Sequence, residues 1–187
     1  MKLSKRSLLL GALGLALFTV QGTAQIERLD LPKMVEKTDD AVVGEIIGKE
    51  VFRVDHPVDG PELYYTTLFI RGESLYSGQE KTASVTFPGG FIDENNGVYN
   101  SEAPSADEIR NGNVVVAFYK WSDNMGGDVA ANALYASHGG LYTTFETSGQ
   151  GTIVQGRGDG YAIAQNTTKT ALKASIQQIR QAQRRDR

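Results

Sequence analysis

The chain has no cysteine, only two histidines and a single tryptophan in 187 residues. Without thiols it can form neither disulfides nor thiolate metal sites, and no lipidated cysteine can follow a leader. Burial and ladder hydrogen bonds must therefore hold the fold. His56 and His138 stand far apart, no HExxH spacing occurs, and a metal centre would need distant carboxylates to assemble around them. There is no G-x-S-x-G elbow, and the glycine clusters fit neither the phosphate-loop nor the dinucleotide pattern; "GEIIGK" at 44–49 lacks the required spacing. The sequence thus nominates no catalytic residue, no metal ligand and no cofactor.

Positive charge is also in short supply, with 19 Lys and Arg against 22 Asp and Glu. Three of those cations, Lys2, Lys5 and Arg6, precede the 13-residue apolar run Leu8–Val20 and the small residues Gly22-Thr23-Ala24. This is the three-part pattern of a secretory signal cut near Ala24. The run is short of the roughly 20 residues a spanning helix needs, so no stable membrane anchor is expected after cleavage. The expected location is periplasmic or extracellular. Loss of residues 1–24 leaves 16 basic against 22 acidic side chains, a net charge of about −6. That balance argues against binding nucleic acid, which relies on clustered Lys and Arg. The remaining 163 residues suffice for one domain with a core, expected as a β-barrel over 25–166 followed by a helix and basic tail over 167–187.

Along the mature chain, Asp30-Leu31-Pro32 reads as a capped helix start, with Leu31, Met34 and Val35 on one face and an end near Lys37-Thr38. Its expected task is to plug one end of a barrel or sheet. "AVVGEIIGKEVFRV" at 41–54 reads as a long strand bent at Gly44 and Gly48. Strands are expected at 63–70 and 83–87, joined by a polar connection over 71–82. The polar stretch 93–113 reads as a loop with one turn at Ser105–Ile109, where Ser105 and Glu108 have capping-box spacing. "VVVAFYKW" at 114–121 is the strongest strand, followed by short strands at 134–137, 141–147, 152–156 and 161–164 in an antiparallel meander. A helix over 168–183 places Leu172, Ile176 and Ile179 on one side, and its Arg184-Arg185 end suits the helix dipole. The expected fold class is mainly β: a single antiparallel, OB-like barrel with a short N-terminal helix and a C-terminal amphipathic helix.

The succession "MVEKTDDAVVGEIIGKE", "YYTTLFIRGESLYSGQEKTASVTFPGG", "GNVVVAFYKW" and "YTTFETSGQGTIVQGRGDGYAI", spanning about 34–163, resembles a group of uncharacterised secreted bacterial proteins. Its strand rhythm also resembles the netrin-like module and the N-terminal domain of tissue inhibitors of metalloproteinases. That resemblance implies a five-stranded barrel of the oligonucleotide- and oligosaccharide-binding type. The inhibitors act through an N-terminal cysteine that this chain lacks, so their mechanism does not carry over.

Several stretches admit more than one reading. Asp93, Asn95 and Glu102 offer oxygens to calcium or form a solvated loop, and the spacing misses the EF-hand. Arg157-Gly158-Asp159 spells an adhesion tripeptide or a hairpin turn. His138 in "YASHGG" reads as a turn residue or as a hydrolase base paired with a carboxylate. Tyr65, Tyr119 and Trp121 are the candidate ligand-binding residues if an aromatic strand face is exposed, and core residues if it is not. The leading expectation is a non-enzymatic exported module that recognises another protein, an exported protease being one candidate. Glycan or small-ligand binding on the aromatic face is the alternative, and oligomeric state is left open.

Overall fold

The computed structural model describes residues 29–185; the expected leader lies outside them, as do Asp186 and Arg187 of the basic tail. Asp30 accepts the Lys33 amide at 2.9 Å and Pro32 sits in the first turn, so helix α1 (Leu31–Lys37) starts as its cap dictates. It stops at Thr38, whose amide and hydroxyl both donate to the Met34 carbonyl.

Strand β1 (Asp40–His56) then runs antiparallel to β2 (Gly60–Ser74) with Gly44 opposite Gly72. A Cβ on Gly44 would lie 2.3 Å from the Arg71 carbonyl oxygen, and one on Gly72 only 2.1 Å from that of Val43. Only glycine permits this approach, and it lets the ribbon coil sharply. Just beyond, Ile47 has no partner between the pairs Ile46↔Ile70 and Gly48↔Phe69. This bulge shifts the alternation, so inward positions are even-numbered before it and odd-numbered after it.

The remaining elements are β3 (Glu80–Pro88), β4 (Gly90–Phe91), β5 (Gly97–Val98), β6 (Val114–Ser122), β7 (Ala131–Leu134), β8 (Leu141–Thr147), β9 (Gly151–Val154), β10 (Thr167–Thr168) and α2 (Lys169–Arg185). Because β1 pairs with both β2 and β6, the order β1-β2-β3-β7-β6 closes on itself. The protein is mainly β, 45% strand, with a closed five-stranded barrel and two helices. Strands β8, β9 and β10 extend the sheet outward from β6.

Four sequence expectations are corrected here. The barrel is not wholly antiparallel: β3 and β7 pair in parallel at Thr86↔Ala133, because the long 89–113 connection crosses before the β6–β7 hairpin returns. The strand placed at 134–137 lies at Ala131–Leu134, and Ser137–Gly140 is a 3-10 turn entered through Ala136 and Ser137 at φ 54° and 52°. No strand forms at 161–164, where Ala162 and Ile163 are instead buried in a turn-rich segment. The polar connection 71–82 shrinks to a turn, since Arg71–Glu73 and Glu80–Thr82 stay in the β2–β3 ladder.

Two apolar layers share the barrel wall. Val42, Ile46, Leu68, Ile70, Val85, Phe87, Val115 and Ala117 fill the interior. The outward residues Ala41, Val43, Val116 and Phe118 are covered by Met34 and Val35 of α1, Leu172 and Ile176 of α2, and Tyr142 and Val154. Helix α1 therefore lies against the wall and does not plug an end. Each fully buried aliphatic side chain in these layers stabilises the fold by about 1.5–3 kcal/mol.

One end of the barrel is sealed by polar groups instead. Asp40 accepts from Ser74 Oγ at 2.6 Å, Lys81 Nζ at 2.9 Å and the Tyr119 hydroxyl at 3.1 Å, while Lys81 also donates to Tyr119 Oη at 2.8 Å. Burial disfavours the Lys81 cation, yet its bonds to Tyr119 and Asp40 outweigh burial and hold its pKa above the ordinary value.

Helix α2 is tied down at both ends. Lys169 and Lys173 pair with Glu73 of β2, and the Arg180 guanidinium lies 4.2 Å from the Tyr76 ring centroid. The Tyr76 hydroxyl meets Thr38 Oγ1 at 2.5 Å and is pushed up to about 12 by burial. A raised folded-state pKa favours the neutral phenol, so this contribution is complete below pH about 10 and disappears as pH rises through about 12. Urea unfolding should show the wild type losing stability over that window faster than Tyr76→Phe. The glycine pair gives a second test: Gly44→Ala should cost more than about 3 kcal/mol. Gly48→Ala, whose nearest neighbour would be Phe69 at 3.7 Å, should cost under about 1 kcal/mol.

Candidate functional site

At the end opposite the Asp40 seal, the 89–113 connection arches over the barrel and encloses a cavity of about 650 Å³. Its floor is Phe87 and Ile109, both members of the interior layer. Beyond the bulge, β1 and β2 supply Lys49, Val51 and Thr66, and the small hairpin β4–β5 adds Phe91, Val98 and the following Tyr99. Such a volume with a largely apolar wall is typical of sites for small molecules.

Backbone geometry shapes this cleft. Gly89 and Gly90 leave β3 at φ 98° and 130°, and a Cβ on Gly90 would sit 2.3 Å from Thr66 Oγ1. Asp93 turns the hairpin by accepting the Asn95 and Asn96 amides at 2.9 and 3.0 Å. Those bonds hold its carboxylate below the usual range, the Asn96 side chain contributing most. Its partner in the calcium reading, Glu102, lies on another part of the loop and receives Ser137 Oγ at 3.4 Å. Among the described residues, no three His, Asp or Glu side chains are grouped to hold a metal.

The capping box forms as its spacing suggests: Ser105 N donates to Glu108 Oε2 at 2.8 Å, and Glu108 N to Ser105 Oγ at 3.4 Å. The other Glu108 oxygen binds Arg157, whose Nε donates to the Leu141 carbonyl at 3.0 Å and whose guanidinium faces Tyr142. Burial alone would raise the Glu108 pKa, but the Ser105 amide and Arg157 prevail and it is lowered. Arg157 is thus committed inward, away from the pose a free adhesion tripeptide requires.

The strained turn Ala136–Ser137 sets His138 in the cleft wall. Its backbone amide and Nδ1 both face the Glu102 carbonyl, at 2.9 and 3.2 Å. A carbonyl only accepts, so Nδ1 carries a proton and donates it to Glu102. The ring is held by a backbone oxygen and not by a carboxylate.

The nominated aromatic residues do not share a surface. Tyr65 is 3% exposed, stacked on Phe52 at 5.6 Å, with its hydroxyl 3.0 Å from the Met125 and Gly126 carbonyls. Tyr119 is buried in the barrel interior within the polar seal. Trp121 is half-exposed at the end of β6, its Nε1 donating to Asp123 at 2.7 Å. The loop covering Tyr65 is itself latched, since the His56 Nδ1 accepts the Asp59 amide at 3.1 Å and Nε2 therefore donates to Asp128 at 3.2 Å. What the sequence analysis missed is the hairpin at 90–98 and the exposed cluster Phe91, Ile92, Val98 and Tyr99. Its only sequence signal was those apolar residues flanking "DENNG" in a stretch otherwise polar.

Comparison with protein-family models, with curated proteins and with solved structures gave no match. The cleft is accordingly interpreted from its own residues. Replacing Glu108 by Gln should leave the Arg157 cation half-buried and uncompensated, at a cost of roughly 1–3 kcal/mol. Thermal unfolding should report the loss, with faster amide exchange at 105–113 and unchanged exchange in β1.

Proposed function

We propose that the protein is an exported, non-enzymatic binding module that receives a ligand with an apolar body in the cleft at the barrel mouth. The observation that carries this reading is a largely apolar wall in which Thr66, Asn100 and Glu108 are engaged in holding the cleft together, leaving the Lys49 ammonium as its unpaired charge. Thr66 donates to the Gly89 carbonyl at 2.7 Å, Asn100 binds the Pro88 carbonyl and the Glu102 amide, and Glu108 is shared by Ser105 and Arg157. Groups fixed in this way shape a site, and the hydrolase reading, which pairs His138 with a carboxylate, gains no support from a Nδ1 held by the Glu102 backbone carbonyl. Export rests on the three-part leader in the sequence; among the described residues, no helix is long and apolar enough to cross a membrane.

The barrel is proposed to be of the oligonucleotide- and oligosaccharide-binding type, with the netrin-like kinship as part of the same proposal. Support comes from the five-strand count and the order β1-β2-β3-β7-β6 closing on β1. Nucleic acid is not the intended ligand of an acidic chain with this apolar wall. A second reading, recognition of another exported protein such as a protease, is favoured by Tyr99 and Val58, which are 80% and 84% exposed.

A neutral apolar dye such as N-phenylnaphthylamine tests the cleft. Its fluorescence should rise on mixing with the wild type and fall to baseline with Ala103→Trp, which fills the cavity. Equal enhancement by the two proteins would overturn the assignment of the cleft.

A further inference from the structure

The chemistry of what the cleft takes follows from one side chain, given that the cleft is the binding site. Lys49 pairs in register with Leu68, an interior residue with no exposed surface, so Lys49 lies on the same face of the β1–β2 ribbon, exposed at the edge of the cleft. The series on that face of β1 runs Val42, Gly44, Ile46, Lys49, Val51 and Arg53, and Lys49 is its one charged member that lines the cleft. The bulge at Ile47 is what brings Lys49 to this face.

The charged groups lining the cleft are Lys49, Glu108 and Arg157, with His138 and Tyr99 as its other titratable members. Glu108 and Arg157 neutralise each other, and His138 Nδ1 is engaged by the Glu102 carbonyl. Lys49 alone has no hydrogen bond, ion pair or ring contact among the described residues. The cleft therefore holds one uncompensated positive charge on a chain whose net charge is −3. An ammonium at the rim of an apolar wall lacks the anion that would complete it, and Val51, Phe87, Ile109 and Phe91 offer the adjoining contact surface.

We propose that the ligand is a single-chain amphiphile with one carboxylate, its tail against Val51, Phe87 and Ile109 and its head on Lys49 Nζ. One free cation matches one anionic charge. A second negative charge on the head would stand in the same cleft as Glu108 without a partner, which disfavours phosphate dianions and polyanionic glycans.

Isothermal titration below micellar concentration with dodecanoate, dodecanol and dodecyltrimethylammonium separates the contributions. Dodecanoate should bind the wild type roughly five- to fiftyfold more tightly than dodecanol, the range expected for a charge-assisted hydrogen bond. The ammonium amphiphile should bind more weakly than either. Lys49→Met should bring dodecanoate down to the dodecanol level and leave dodecanol unchanged, whereas Lys49→Arg should retain the preference. Equal affinity for dodecanoate and dodecanol, or a preference that survives Lys49→Met, overturns the carboxylate assignment while the cleft stands. Binding of both that is indifferent to Ala103→Trp overturns the cleft itself.

Discussion

The close passage of β1 over β2 at Gly44 and Gly72 is the constraint on which the rest of the architecture depends. Strand β1 must pair with β6 on one side and β2 on the other over Val42–Glu45, then leave the barrel with β2 alone. Backbones that approach until a methyl would strike a carbonyl oxygen can coil tightly enough for that double duty. The bulge at Ile47 completes the turn away and resets which side chains face inward. Without these two devices the ribbon would stay straighter, the barrel would remain open, and the distal half of β1–β2 would not form the cleft wall.

The two ends of the barrel solve opposite problems. At one end Asp40, Ser74, Lys81 and Tyr119 satisfy one another, so charged and polar groups close the interior without being left unpartnered. At the other, the 89–113 connection is held off the interior by the Asp93 turn, the Ser105–Glu108 box and the Arg157 pair. The loop is thereby braced as an arch that touches the interior layer through Ile109, and the space between it and Phe87 persists.

Local chemistry was the most legible part of the sequence. Asp30 and Pro32 fixed the start of α1, and the Ser105–Glu108 spacing fixed the one ordered turn of the long connection, because each depends on neighbours within four residues. The barrel class could be read from strand rhythm, but the parallel β3–β7 contact could not, since it joins residues 86 and 133 through the path of an irregular loop. Alternation showed that Tyr65 and Tyr119 lie on strand faces without showing what covers those faces. A loop from 60 residues away covers Tyr65, and the barrel itself encloses Tyr119. Lys49 was passed over for a related reason: a single bulge inverts the in–out phase, and that inversion cannot be seen in residue types alone.

The packed interior also has a kinetic meaning. Val42, Ile46, Leu68 and Val85 fill the barrel between the Asp40 seal and the cleft, so the cleft exchanges its contents with solvent on its own side alone. Phe91, Val98 and Tyr99 are the exposed members of its wall and are met before Phe87 and Ile109, so residence time depends on those outer side chains as well as on the floor.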